Sequence, residues 1–148
     1  MQLESILTPA RTLCDAPGTS KKRVLENLAQ FLAEDLPDTD AADLFARLLA
    51  RERLGSTGLG GGIALPHCRL KSVERAIGCL VTLAQPIEFE AVDDNPVDVL
   101  FVLLVPEAAT QEHLNVLAAL AERFSDPAYT ESLRAASTSE ELYEAAIA

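Results

Sequence analysis

Hydrophobic residues recur at helical spacing in three long segments of the chain, and each segment begins near a residue that can cap a helix. Ser20, the residues from Asp38 to Asp40, and Thr110 are the candidate caps. The three predicted helices cover residues 21–35, 41–54 and 110–126. Two shorter helices are predicted near the C-terminus. Asp126-Pro127 opens the first, and a capping box of Ser137 or Thr138 with Glu140 or Glu141 opens the second.

The hydrophobic pattern between these helices is that of β-strands. "AIGCLVTLA" (76–84) predicts a buried strand and "VDVLFVLLVP" (97–106) a central one. "PIEFE" (86–90) alternates and predicts an edge strand before the turn "VDDNP". A short strand is expected around residues 11–14, and "GIALPH" is a short apolar stretch ended by Pro66. This mixture predicts one α/β domain over residues 1–148, with a central sheet covered on both faces.

Composition excludes several classes of protein. Hydrophobic residues make up 49% of the 148 residues, which excludes a disordered chain. The longest strongly apolar run, 99–105, is far shorter than the roughly 20 residues of a membrane span, and the acidic N-terminus is unlike a signal peptide. We therefore expect a cytoplasmic protein. The three cysteines show no metal-ligand spacing and suit a reducing compartment.

Charge is distributed unevenly along the sequence. The formal net charge of −11 argues against a nucleic-acid partner. Six of the 12 Lys and Arg residues nevertheless lie between Arg47 and Arg75, with only two acidic residues among them. One interpretation is that Arg51 and Arg53 complement the dipole at the end of a helix. The other is a binding site for an anion, and the sequence alone leaves both open.

Five of the seven glycines precede His67 within this basic segment, in "GSTGLGGGIALPH". Two known phosphate-binding patterns do not fit. A Walker loop would need lysine where Gly61 stands, and the dinucleotide pattern would need glycine where Ile63 stands. His67 therefore remains as the reactive group of the segment.

A neutral histidine can act as a nucleophile toward phosphorus, because one ring nitrogen keeps a free lone pair. The phosphoryl group needs donors and cations nearby, which glycine N–H groups, the Ser56 and Thr57 hydroxyls and the basic segment could supply. These ingredients suit phosphoryl transfer through histidine. The alternative is an ordinary loop in which His67 is a turn residue.

"RERLGSTGLGGGIALPH" closely resembles the phosphorylation-site region of the type-2 IIA proteins of the phosphoenolpyruvate-dependent phosphotransferase system. The resemblance extends over nearly the whole chain and includes "HLNVLAALAERF". It implies a mixed sheet of about five strands with helices on both faces. Among these proteins, the nitrogen-regulatory type is more similar to this sequence than the sugar-specific types.

The resemblance also implies roles for individual residues. His67 matches the histidine that accepts the phosphoryl group, His113 matches a second histidine that orients or stabilises the site, and Arg51 matches the family's arginine. Ser56, Thr57, Gly58 and Gly60 match positions near the phosphoryl group. No metal or cofactor is implied. Without the resemblance, His113 would be interpreted as a boundary residue that packs at the edge of an apolar helix stripe.

The implied function is that of a phosphoryl carrier. The donor would be a phosphohistidine carrier protein of the nitrogen type, and the targets would be regulatory proteins such as those of potassium transport or sensing, with no nucleic acid and no membrane insertion. One alternative is a sugar-specific IIA component that passes the group to a separate IIB. A second is a binding module that senses an anion without any covalent step.

A third alternative is a hydrolase that uses the thiol of Cys68, for which no general base stands at an evident spacing. A thiol beside the site could be oxidation-sensitive. The favoured interpretation of Cys68 is a small buried side chain.

Overall fold

The computed structural model describes residues 1–109 and 111–148, and a mixed β-sheet lies at its centre. Six strands and five α-helices are formed by the described residues, together with two short 3-10 turns. The strands are β1 (Thr12–Ala16), β2 (Gly58–Gly60), β3 (Ile63–Ala64), β4 (His67–Leu70), β5 (Ile77–Ile87) and β6 (Val97–Pro106). The helices are α1 (Lys21–Asp35), α2 (Ala41–Leu54), α3 (Gln111–Phe124), α4 (Pro127–Arg134) and α5 (Ser139–Ile147).

The strands follow the order β1-β5-β6-β3-β2, and β4 also pairs with β6. β5 and β6 are antiparallel, whereas β3 and β4 both run parallel to β6 along the same side. β3 and β4 therefore form one line that is interrupted between Ala64 and His67. The predicted α/β fold with a mixed sheet is confirmed, and so is the central position of β6.

Successive residues of β6 point to opposite faces of the sheet, as the period of a strand requires. Leu100, Val102 and Leu104 pack with α1 and α2 on one face. Phe101 and Leu103 pack with α3, α4 and α5 on the other. Both faces are thus covered by helices, which explains why β6 is apolar along almost its whole length.

The predicted helix starts are confirmed where the structure describes them. The side chains of Ser20, Asp40 and Asp126 accept hydrogen bonds from backbone N–H groups in the first turns of α1, α2 and α4. Thr138 caps α5 in the same way. The cap predicted at Thr110 lies outside the described residues.

The edge strand predicted for "PIEFE" is wrong. Its first two residues instead extend the central strand β5, and Ile87 pairs with Val97 of β6. The chain then leaves the sheet, and Glu90 adopts a positive φ of 56°. Phe89 alternates correctly for a strand, but it is fully buried in the core beside α1 and α2. The alternation of hydrophobic and polar residues in this segment therefore results from burial of one aromatic side chain in a loop, and not from an edge strand.

Candidate active site

His67 is the first residue of β4, directly after the interruption of the strand at Leu65-Pro66. At this bend the ring Nδ1 lies 2.9 Å from the carbonyl oxygen of Leu65. Because a carbonyl oxygen can only accept a hydrogen bond, Nδ1 carries the proton in this geometry. In the neutral ring, Nε2 therefore keeps the free lone pair.

Arg51 lies in the last turn of α2 and reaches this free nitrogen. Its Nε donates to Nε2 of His67 at 3.3 Å, and its Nη1 donates to the carbonyl oxygen of Gly55 at 2.8 Å. Gly55 follows the last residue of α2, so the arginine also satisfies a backbone acceptor at the end of its own helix. Arg51 thus holds a positive charge beside the unprotonated nitrogen of His67.

His113 approaches the same ring from α3. It is the third residue of that helix and is 8% exposed. The two imidazole rings have their centroids 5.9 Å apart, with their planes at 67°. The structure therefore brings His67, Arg51 and His113 together from β4, α2 and α3.

The pKa values of both histidines are lowered. Burial is the main cause for His67, and the positive charge of Arg51 lowers its pKa further, while the hydrogen bond to Leu65 acts in the opposite direction. For His113, burial is again the main cause, followed by the charges of His67 and Arg69. Both rings are therefore neutral near pH 7, which is the form that a nucleophile requires.

The two rings open into a cleft of about 490 Å³. Arginine side chains and small or apolar residues form its wall. The lining residues are Arg47, Ala50, Arg51, Leu54, His67, Cys68, Arg69 and His113. Part of the basic segment is therefore an electropositive wall around the unprotonated nitrogen of His67, which favours the anion-site interpretation of that segment.

The hydroxyls of Ser56 and Thr57 are engaged away from this cleft. Ser56 Oγ donates to the carbonyl oxygen of Phe89 at 2.9 Å. Thr57 is buried, and its Oγ1 donates to a carboxylate oxygen of Glu52 at 2.6 Å. Neither residue is among those described as lining the cleft. Their contacts hold the segment between α2 and β2 in place.

Gly58 and Gly60 also lie outside the cleft lining. A Cβ at Gly58 would come within 2.7 Å of the Cβ of Ala91, so close packing requires glycine there. Gly60, Gly61 and Gly62 have φ values of 97°, 66° and 82°; Gly60 ends β2, and the other two form the turn to β3. The Gly61 N–H donates to Asp93, so the amide is already occupied. The glycines serve a tight hairpin beside a different groove of about 660 Å³.

Cys68 packs in the core beside α1 and α2, although it also borders the cleft. The residue is 8% exposed, and burial raises the pKa of its thiol to about 12. A thiol of that pKa is protonated at neutral pH and is a weak nucleophile. The buried interpretation of Cys68 therefore agrees with the structure.

Three charged residues of the site region were not singled out from the sequence. Arg47 and Arg69 line the cleft, and Glu52 is buried near enough for its charge to act on His67. For the two arginines, the spacing in the sequence indicates a position beside the predicted site residues. Arg69 follows His67 by two residues on a strand, and Arg47 precedes Arg51 by one helical turn. No comparable signal marked Glu52.

The fold agrees with that of known proteins that the chain matches. The family model described as "Phosphoenolpyruvate-dependent sugar phosphotransferase system, EIIA 2" matches residues 5–147. The chain therefore belongs to the type-2 IIA family of that phosphotransferase system, as the resemblance in its sequence indicated.

Several relatives within the family are nitrogen regulatory proteins. The chain is 51% identical to a nitrogen regulatory protein of Pseudomonas aeruginosa over 144 residues, which cover 97% of this chain and 94% of that protein. It is 43% identical to a nitrogen regulatory protein of Escherichia coli over 145 residues, covering 97% and 88% of the two chains. The crystal structure of nitrogen regulatory protein IIA-Ntr from Neisseria meningitidis superposes with a TM-score of 0.88 at 42% identity, covering 96% and 97% of the chains. The expected similarity to the nitrogen-regulatory type is confirmed.

None of the helices formed by the described residues has the length and apolar character that crossing a membrane requires.

Proposed function

We propose that this protein is a phosphoryl carrier that accepts a phosphoryl group on Nε2 of His67 from a phosphohistidine carrier protein. The observation that carries this proposal is the pair of contacts made by the His67 ring. The carbonyl of Leu65 fixes the proton on Nδ1, and Arg51 stands at the unprotonated Nε2. Membership of the type-2 IIA family supports it further.

The proposed reaction is a direct transfer between two imidazoles. The lone pair of His67 Nε2 forms the new N–P bond, the N–P bond of the donor breaks, and its electron pair returns to the donor nitrogen. The proton on Nδ1 stays in its hydrogen bond to Leu65. Arg51, now facing phosphoryl oxygens instead of a nitrogen lone pair, offers donors to the transferred charge.

His113 has a supporting role in this proposal. A neutral imidazole 5.9 Å away, centroid to centroid, can donate one N–H to a phosphoryl oxygen on His67. Because His113 is buried, the dielectric around that bond is lower than in water, which strengthens the interaction. The roles first expected of Ser56, Thr57, Gly58 and Gly60 are not included, because their contacts lie elsewhere.

The phosphorylated and free forms of the protein differ in the charge of the cleft. The group adds on the order of two negative charges to a cleft lined by three arginines. The positive charge of the cleft is thereby largely neutralised without a large change of fold, so a regulatory target can distinguish the two forms. The similarity to nitrogen regulatory proteins favours this role over delivery of the group to a sugar-specific IIB component.

Intact mass spectrometry after incubation with phosphoenolpyruvate, enzyme I and a carrier protein tests the acceptor. Wild type should gain one phosphoryl group that is lost in acid, and His67→Ala should gain none. His113→Ala is the matched control, because it removes the other histidine of the chain. It should still gain the group, at a lower rate. Both nitrogen-type and sugar-type carriers should be tried.

The position of the phosphoryl group on the ring provides a second, independent readout. Nitrogen-15 NMR of the phosphorylated protein should show coupling to phosphorus at Nε2 of His67. Labelling of His67→Ala at the wild-type rate would contradict the proposal, and so would coupling at Nδ1. No gain of mass with any carrier would leave the anion-binding module as the better explanation.

A further inference from the structure

Arg69 connects the strand that carries His67 to the turn that precedes His113. Its Nη1 donates to the carbonyl oxygens of Glu107 and Ala109, at 2.8 Å and 2.6 Å. Arg69 and His67 are two residues apart on β4 and therefore project from the same face of that strand. Both residues line the cleft. One guanidinium thus holds two carbonyl oxygens of the segment that leads into α3.

A second arginine completes the same connection. Arg47, one turn before Arg51 on α2, contacts the carbonyl oxygen of Arg69 and the carboxylate of Glu107, both at 3.4 Å. It is itself held by Asp43 through a bond of 3.0 Å. The three elements that supply Arg51, His67 and His113 are therefore tied to one another at the mouth of the cleft.

The His113 ring is buried in the first turn of α3. Within the part of the chain that the structure describes, its buried Nδ1 has no hydrogen-bond partner. Among the described residues, no hydrogen bond at Nδ1 therefore orients the His113 ring. The position of the ring depends on the position of α3. That helix begins at Gln111, two residues after Ala109, so the tether acts immediately before the turn that carries the ring.

We propose that Arg69 is a positioning residue for His113: by holding the carbonyls of Glu107 and Ala109, it sets the separation of the two histidine rings. This inference rests on the proposed function, because the separation matters only if His113 supports the group on His67. Arg69 acts in it through His113 and not as an independent contact to the phosphoryl group.

A double-mutant cycle separates these two modes of action. The rate at which the protein accepts the phosphoryl group is measured by quenching and intact mass for wild type, Arg69→Met, His113→Ala and the double variant. Arg69→Met should slow acceptance about tenfold, since small displacements of a catalytic neighbour are costly. In the His113→Ala background the same change should slow it by less than about twofold, because the two residues act as one unit.

Two further variants complete the design. Lys22→Met removes an equal charge from the exposed surface of α1, outside the cleft lining, and should leave the rate unchanged. Arg69→Gln keeps two amide N–H donors and should show the same non-additivity with His113→Ala. It also serves as the test variant if Arg69→Met does not fold. Equal slowing by the Arg69 change in both backgrounds would overturn the proposal, and so would an unchanged rate in the wild-type background.

An NMR titration tests the same link without any phosphoryl transfer, so its failure is distinguishable from failure of the proposed function. In unphosphorylated Arg69→Met the pKa of His113 should rise relative to wild type, because a nearby positive charge that lowers it is removed. The ring resonances of His113 should shift more than those of His67. An unchanged titration and unchanged resonances of His113 would overturn the proposal even if phosphoryl transfer proceeds normally.

Discussion

The chemistry proposed for His67 is decided by which ring nitrogen carries the proton. The neighbouring Leu65 carbonyl makes that choice, and a helix from elsewhere in the chain supplies the arginine at the other nitrogen. Both contacts involve the same ring, but their effects on its pKa differ. The carbonyl favours the protonated ring, whereas burial and Arg51 favour the neutral ring.

Replacing Arg51 should raise the pKa of His67. The positive charge disfavours an imidazolium beside it, so Arg51→Gln removes one cause of the lowered pKa, and burial remains as the main cause. An NMR titration of His67 measures the shift. Phosphoryl acceptance should also slow, on the order of 100-fold, because the developing charge loses a donor.

Arg53→Gln is the matched control for this experiment. Arg53 lies two residues further along α2, is exposed and is not among the residues that line the cleft. Its replacement should leave both the pKa of His67 and the rate unchanged. A His67 pKa that falls in Arg51→Gln would show that the electrostatic argument has the wrong sign.

At the scale of elements, the end of α2 is held by a buried carboxylate. Glu52 accepts hydrogen bonds from the N–H and the hydroxyl of Thr57, and its Oε1 lies 2.9 Å from the ammonium of Lys21. It therefore joins α1, α2 and the segment that leads into β2. Arg51 is the residue next to Glu52. The network therefore holds the backbone position from which the Arg51 side chain reaches His67.

Glu52→Ala should destabilise the fold by about 3 kcal/mol, because it leaves the Thr57 donors and the Lys21 charge without their buried acceptor. Glu26→Ala is the matched control. It breaks the Arg23–Glu26 ion pair, whose side chains are 66% and 42% exposed, and should cost less than about 1 kcal/mol. Urea denaturation measures both values. Equal losses in the two variants would refute the structural role of Glu52.

At the scale of the whole molecule, the lowered histidine pKa values link stability to pH. An unfolded chain binds protons at its histidines near the ordinary pKa of about 6.5, whereas folded His67 and His113 take them up only at lower pH. Protons therefore favour the unfolded state in this range, and the free energy of unfolding falls as pH drops below about 6.5.

The urea midpoint should accordingly be lower at pH 5.5 than at pH 7.5. The variant with both His67→Gln and His113→Gln should lose most of this dependence, because it removes both histidines of the chain. A wild-type midpoint that is equal or higher at pH 5.5 would contradict the lowered pKa values. The double variant also reports any contribution of carboxylates to the same range.

Much of the fold could be predicted from local signals. The Ser20 and Asp126 caps and the apolar run of β6 need no knowledge of the rest of the chain. The surroundings of the glycines and of Arg69 could not be predicted in this way. The amide of Gly61 is taken by Asp93, and Arg69 contacts Glu107, so both contacts join residues more than 30 positions apart. Such contacts follow from the strand order, which hydrophobic spacing does not specify.

The interruption between β3 and β4 has a consequence for how this chain can vary in length. Ala64 lies in the core beside α1 and α2, and the residues after the break resume the alternation with His67 toward the cleft and Cys68 toward that core. Inserting or deleting a single residue at Leu65-Pro66 would exchange the two directions and send the imidazole inward and the thiol outward. The number of residues between β3 and His67 therefore determines the face of the sheet on which the histidine side chain lies. Changing the number of residues at this point by one would remove His67 from the cleft.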